Sequence, residues 1–256
     1  MSDGLLRAIG WRALLLHGDP CVLDRWLWVR RHLRSGPVRT LDAGFGNGAF
    51  SIYAARQGNE VVALSFSAQE RDEARARADH LGVDGVSFGV LDLREFGSRA
   101  EEYGTFDQII CLETIEHLID DEGVVAELAA VLRPGGQLLL SAPSAEHHAL
   151  YKEHLSESED GGHVRWGYTH DRLREILEQA GLEPAHAGGV SGVVSQRVTN
   201  LMRRLERVDR RLAWLLTAPL RALVIVDRPL TLALKYPFLS VTAVGVRPAE
   251  PGAEAG

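Results

Sequence analysis

The chain has 256 residues, 45% hydrophobic and 25% charged, with a formal net charge of −7 at pH 7. That acidic balance argues against any overall attraction to nucleic acid or anionic lipid, and the length allows one large domain with an embellishment. Cys21 and Cys111 supply neither a disulfide framework nor a metal-ligand spacing, and MSDGLLRAIGW lacks the basic-then-apolar secretory pattern, so a reducing, cytoplasmic setting is expected.

Residues 1–36 are expected to form an N-terminal helical cap, because PCVLDRWLWVRRHL (20–33) has the spacing of an amphipathic helix laid against a sheet. The core is expected over 37–194. Its apolar runs are VRTLDA (38–43), EVVALS (60–65), GVSFGV (85–90), FDQIIC (106–111) and GQLLLSA (136–142). Between them lie AFSIYAARQG, SAQERDEARARADHLG and DDEGVVAELAAVLRPGG, each ending in glycine as a helix stop would. The alternation predicts right-handed βαβ units and an α/β, doubly wound, mostly parallel sheet. A polar loop (143–168) then leads to THDRLREILEQAG, with Thr169 as N-cap and Gly181 as stop, and to a sixth strand at Glu183–Gly188.

Residues 195–238 break the rhythm as a helical insertion or lid, arginine-rich and then apolar. Arg221, Asp227, Arg228 and Lys235 interrupt it, so no run approaches the roughly 20 apolar residues of a spanning helix. Leu201, Leu205, Val208, Leu212 and Leu215 recur at helical spacing, which predicts a stripe packed on the sheet with solvated arginines. The rival expectation is a basic, apolar-faced helix in peripheral membrane contact. The run at 239–247 is expected to be the last core strand, and 248–256 a disordered tail.

The stretch TLDAGFGNGAF (40–50) sets Gly44, Gly46 and Gly48 directly after the first apolar run. In an open parallel sheet such a loop lies at the carboxyl edge, where ligands bind. Gly44, Gly46 and Ala49 also satisfy the short dinucleotide fingerprint, so the pattern alone leaves an NAD oxidoreductase open. Asp42 tilts the choice, since a carboxylate there repels a pyrophosphate and suits an ammonium or sulfonium group.

Together LDAGFGNG, FDQIICLETIEHL and LRPGG before an apolar strand resemble the class I S-adenosylmethionine-dependent methyltransferases, over roughly residues 38–182. The resemblance implies a Rossmann-like seven-stranded sheet with an antiparallel last strand, and S-adenosylmethionine as methyl donor. It implies cofactor binding by Asp42, Ala43, Gly44, Phe45, Gly46 and Gly48 around the methionine part, and by Asp92 and Leu93 around the adenine. Leu112 ends the fourth strand in the same set. Where the family carries a ribose-gripping acid, this chain has Ser65, which can make one hydrogen bond but not a bidentate pair. The missing acid also weakens the NAD option. The stretch SFSAQ is similar to the branch holding cyclopropane fatty acid synthases and tocopherol methyltransferases, which implies ribose-side roles for Ser65, Phe66 and Gln69.

By the same resemblance CLETIEHL (111–118) lies beneath the methyl group. His117 is the candidate catalytic base, with Glu116 beside it. Glu113, Glu116 and His117, with His163, are similar to the metal cluster of ubiquinone-pathway O-methyltransferases and small-RNA 2′-O-methyltransferases. A divalent metal is considered there, but the metal-free alternative is preferred. Acceptor contacts are expected from at most one or two of the histidines His147, His148, His154, His163 and His170, the rest keeping a polar loop soluble, with an aromatic wall of Trp166 and Tyr168 and with Arg165 meeting an anionic group. Cys111 is expected to be a core residue. The function expected is methyl transfer to a small, lipophilic acceptor, onto oxygen, without a nucleic-acid partner. The rivals are C-methylation of a lipid, metal-assisted 2′-O-methylation of RNA, and a non-catalytic S-adenosylmethionine-binding protein.

Overall fold

Among the described residues the first helices are α1 (Arg12–His17) and α2 (Pro20–His32). The alternating part runs β1 (Arg39–Ala43), α3 (Ala49–Arg56), β2 (Glu60–Ser65), α4 (Ala68–His80) and β3 (Val86–Val90). It continues as α5 (Phe96–Tyr103), β4 (Phe106–Leu112), α6 (Asp121–Ala130) and β5 (Leu132–Pro143). After α7 (Ala145–His148) come α8 (His170–Gln179) and β6 (Glu183–Val190). Three helices, α9 (Val193–Glu206), α10 (Arg210–Thr217) and α11 (Val224–Ala233), precede β7 (Ser240–Val246). The computed structural model describes residues 10–17, 20–148 and 155–249.

The strands form one seven-stranded sheet in the order β3-β2-β1-β4-β5-β7-β6. β7 is antiparallel to β5 and β6, and the other pairs are parallel. Alternate strand residues feed two cores. Ile109 and Cys111 of β4 join Leu138 and Leu140 on one face, while Ile110 and Leu112 join Leu139 on the other. Because both faces are covered, the central strands appear in the sequence as near-continuous apolar runs. Strand order reverses between β1 and β4, and the crevice at their carboxyl ends is where the fold offers room for a ligand.

Several elements depart from expectation. α5 was not foreseen: of its eight residues only Phe96 is buried, so the apolar period is too sparse to register. α6 stops at Ala130, and the LRPGG stretch belongs to β5 instead, because Pro134 cannot continue a helix. Arg247 holds that irregular start, donating from Nη1 to the carbonyls of Ala130 (2.8 Å) and Leu132 (2.6 Å).

The insertion begins at Val193 and differs in its packing. Of the stripe expected to face the sheet, Leu201, Val208, Leu212 and Leu215 are exposed and Leu205 is half-buried. α9 packs instead on α2, α10 and α11 through Val198, Met202 and a polar set of Ser195, Gln196 and Thr199. Among the described residues no helix is long and apolar enough to cross a membrane. His154, the side chain of His148, and residues 250–256 of the tail lie outside the described residues.

Candidate functional site

The loop after β1 is anchored from beneath, with Gly44 N and Phe45 N donating to Leu64 O of β2 at 2.9 and 3.3 Å. Gly44 has φ +86°, and a Cβ there would stand 2.4 Å from Thr114 Oγ1, so the β1 and β4 loops can meet only over bare backbone. Gly48 solves a different problem: its added Cβ would lie 2.8 Å from Ala74 Cβ, where α3 approaches α4.

A cavity of about 300 Å³ opens above this loop. Its wall contains Gly44, Gly46, Ser65, Phe66, Asp92 and Leu93 from the expected set. Asp42, Ala43, Phe45, Gly48 and Leu112 are not part of that wall. Asp42 is 2% exposed, its Oδ2 accepts from Ser51 Oγ at 2.5 Å, and burial pushes its carboxyl up to about 7. Phe45 turns inward onto Phe88, with ring centroids 5.1 Å apart.

Of the three ribose-side candidates, Ser65 and Phe66 line the cavity and Gln69 does not. Gln69 points to solvent and donates to Glu73 Oε1 at 3.0 Å, while Glu70 lines the cavity. Successive helix residues diverge by about 100°, so only one of the two can face β2. Glu70 Oε2 accepts from Ser65 Oγ at 2.5 Å, and Ser65 Oγ accepts from Ser67 N at 3.2 Å. The signal was present in the sequence: Ser67 to Glu70 is a capping-box spacing, and Ser67 Oγ caps α4 by accepting from Glu70 N.

A strap (residues 155–168) covers the cavity, contributing Glu159 and Gly161 to its wall. Arg94 forks onto Asp92, Nε lying 2.9 Å from Oδ1 and 3.0 Å from Oδ2, and its Nη1 reaches Glu159 at 3.1 Å. That guanidinium holds the Asp92 carboxyl below its usual range. Glu159 Oε1 accepts from Ile119 N (2.6 Å), and Val164 N donates to Glu116 O (3.0 Å). Arg165 was expected to meet the acceptor. Its guanidinium instead binds the Leu118 and Ile119 carbonyls and Asp121 at 2.6–2.8 Å, which leaves it securing the strap. Tyr168 is likewise no wall: it is buried, its hydroxyl donating to Asp121 Oδ2 at 2.8 Å. His170 lies 2.8 Å (Nε2) from Gly188 O, on the outer strand.

A second cavity, of about 330 Å³, lies between α2, α9 and the strap. Cys21, Val22 and Arg25 come from α2, Gln196, Thr199, Asn200 and Arg203 from α9, and His147, His163 and Trp166 complete the far side. The two cavities share Glu113 and His117. Arg25 was not anticipated, since nothing in an amphipathic helix marks which arginine turns inward.

Glu113 has φ +51° and is fully engaged: it accepts from Ser141 Oγ (2.8 Å) and Ser240 Oγ (2.9 Å) and pairs with Arg25 at 3.1 Å. Glu113 is thereby held apart from the other three residues considered above as a metal cluster. Ligand atoms of Glu116, His117 and His163 do lie within 4.8 Å of one another. Glu116 is 1% exposed, and its Oε2 has no hydrogen-bond partner among the described residues. Burial and the nearby Glu113 charge push its carboxyl well above the usual range. His117 Nδ1 lies 3.0 Å from Gly162 O. A carbonyl only accepts, so Nδ1 carries the proton and Nε2 is the basic nitrogen, 3.9 Å from Glu116 Oε1. Cys111 is fully buried in the core, its thiol pushed up by desolvation.

Comparisons with known proteins agree with this architecture. The Ubiquinone biosynthesis O-methyltransferase of Aromatoleum aromaticum (strain DSM 19018 / LMG 30748 / EbN1) is 31% identical over 186 residues, 68% of this chain and 74% of that protein. Its namesake in Xanthomonas axonopodis pv. citri (strain 306) is 33% identical over 114 residues, 44% of this chain and 46% of that protein. The chain therefore spans about half the length of several curated relatives it matches. The crystal structure of an S-adenosylmethionine dependent methyltransferase from Mesorhizobium loti superposes with a TM-score of 0.59 at 17% identity, covering 91% of this chain and all of that one, a likeness of fold. The family described as Methyltransferase domain matches residues 20–187, and the chain belongs to it, with the sheet of the class I S-adenosylmethionine-dependent methyltransferases.

Proposed function

We propose that this protein moves a methyl group from S-adenosylmethionine onto an oxygen of a small acceptor, the donor lying in the first cavity and the acceptor in the second. The observation carrying this reading is that the two cavities meet at His117, whose Nε2 is the nitrogen able to take a proton. The first cavity suits the donor. Its floor is glycine backbone, Glu70 offers a carboxylate to hydroxyl groups, and Asp92 offers one to an amino group. When bound, S-adenosylmethionine supplies a methyl group on a cationic sulfur, which leaves as a neutral thioether. The chain does the rest: it positions the acceptor oxygen, excludes water beneath the strap, and receives the hydroxyl proton on His117. The ubiquinone-pathway relatives support an oxygen acceptor.

Substitution His117→Ala is expected to lower kcat about 10²- to 10⁴-fold with donor affinity, measured by calorimetry, unchanged. Turnover that survives the substitution refutes the base role. A second reading is favoured by the unpartnered Glu116 Oε2 facing His117 and His163: a divalent ion held by these three could orient the acceptor oxygen. Full activity after exhaustive chelation, without gain on adding magnesium or zinc, excludes it.

A further inference from the structure

The segment from α10 to α11, packed on α9, is inside out. From Leu212 to Leu234 every exposed residue is Leu, Ile, Val, Ala or Pro. Within the same stretch Thr217, Arg221, Asp227 and Thr231 are buried at 2% exposure or less. The buried polar residues serve as pins. Asp227 accepts from Gly192 N (3.0 Å), Val194 N (2.8 Å) and Ser195 N (3.0 Å) at the start of α9, and Thr231 Oγ1 accepts from Val193 N (2.8 Å). A carboxylate over a helix N-terminus is well placed, so the segment is held on through polar contacts. Its apolar side is left outward. Val208 is 80% exposed, Ile225 78% and Leu215 64%. Water does not maintain such a face, and patches of this kind mark contact with a membrane or a partner.

We propose that the outward face of α10, the turn Pro219–Leu223 and α11 is a membrane-docking surface that rests in the interface of an anionic bilayer. Charge favours that occupant. Exposed Arg204, Arg207, Arg210 and Arg211, with exposed Glu206 and Asp209 among them, lie just before the apolar stretch in the chain, and exposed Lys235 lies just after it. A two-fold contact with a second copy would bring like-charged rims together, whereas lipid phosphates neutralise them. The overall charge of −7 does not oppose this, since at physiological salt only charges within about 8 Å of the lipid matter. Among the described residues no helix is long and apolar enough to span, so this segment would lie along the surface. Docking also sets α9 and the mouth of the second cavity near the membrane, where a lipophilic acceptor is concentrated.

The test is co-sedimentation of the full chain with vesicles of phosphatidylcholine alone and with added phosphatidylglycerol. Binding is expected to the anionic vesicles and to weaken as salt rises. The double variant Leu215→Glu, Ile225→Glu touches only exposed positions and should bind about tenfold less at unchanged Tm. Arg210→Glu with Arg211→Glu should lose the preference for phosphatidylglycerol. Absence of vesicle binding at low salt overturns the proposal, as does a leucine–isoleucine variant that binds as well as the parent. If the non-binding chain is instead a dimer in lipid-free buffer that the same variant disperses, the face is a self-contact.

Discussion

The two cavities are built by opposite strategies. The first cavity, proposed for the donor, is made from the ends of parallel strands: glycine backbone, Ser65 at the tip of β2, and Asp92 just past β3. The second cavity, proposed for the acceptor, takes much of its wall from side chains on α2 and α9, elements outside the alternating sheet. Strand ends are placed by hydrogen-bond register, so a pocket made from them tolerates little change. A pocket made from helix side chains can be re-lined without disturbing the sheet. One fold can thus keep a constant donor and vary its acceptor, and each variant below should affect one side alone.

The largest effect is expected from Arg25→Met. It leaves Glu113 without its cation at the junction, and should cost about 2 kcal/mol of stability, measured by denaturant unfolding. On the kinetic side it should raise the acceptor KM while the donor Kd stays fixed. A variant that weakens the donor instead would collapse the distinction between the two cavities. Next is Glu70→Gln, which keeps shape and removes charge. Donor Kd should rise about tenfold, with acceptor KM unchanged, as read by calorimetry and initial rates. Equal donor affinity would return the ribose contact to some other residue.

The smallest effect on turnover belongs to Asp42→Asn, which probes pH. The folded carboxyl titrates near 7 and the unfolded one near 3.8, so ionisation is disfavoured by folding. Stability from this group is full below about 3.8 and is lost as pH rises toward 7. The Asn variant should therefore show a flatter Tm between pH 4 and pH 7, with activity near that of the parent, because Asp42 is not part of the first cavity's wall. A parent Tm that climbs across this window would contradict the buried, desolvated carboxyl.

Much of the sheet was legible because its strands are covered on both faces and bounded by glycines, a pattern that survives without knowledge of the fold. The glycine loop's place at a strand end follows from topology, whereas His117 was singled out through the family resemblance of CLETIEHL. Glu70 was lost by a single step of helix phase beside the more suggestive Gln69. Arg165 and Tyr168 were misassigned because their partner Asp121 lies more than forty positions away, and spacing cannot reveal such a pairing. The insertion teaches a sharper lesson. The period of Leu201, Leu205, Val208, Leu212 and Leu215 gives a stripe but not which way it faces. Here the burial of Asp227 and Thr231 decided it.

The contact between His117 and Gly162 joins two jobs that are commonly separate. The Gly162 oxygen belongs to the strap over the cavity proposed for the donor and also selects which imidazole nitrogen is left bare, so roofing and arming would coincide. An unroofed protein would have no means of choosing, and its reactive methyl would face solvent. Synchrony of this kind guards against wasting the donor on water and needs no signal passed through the sheet.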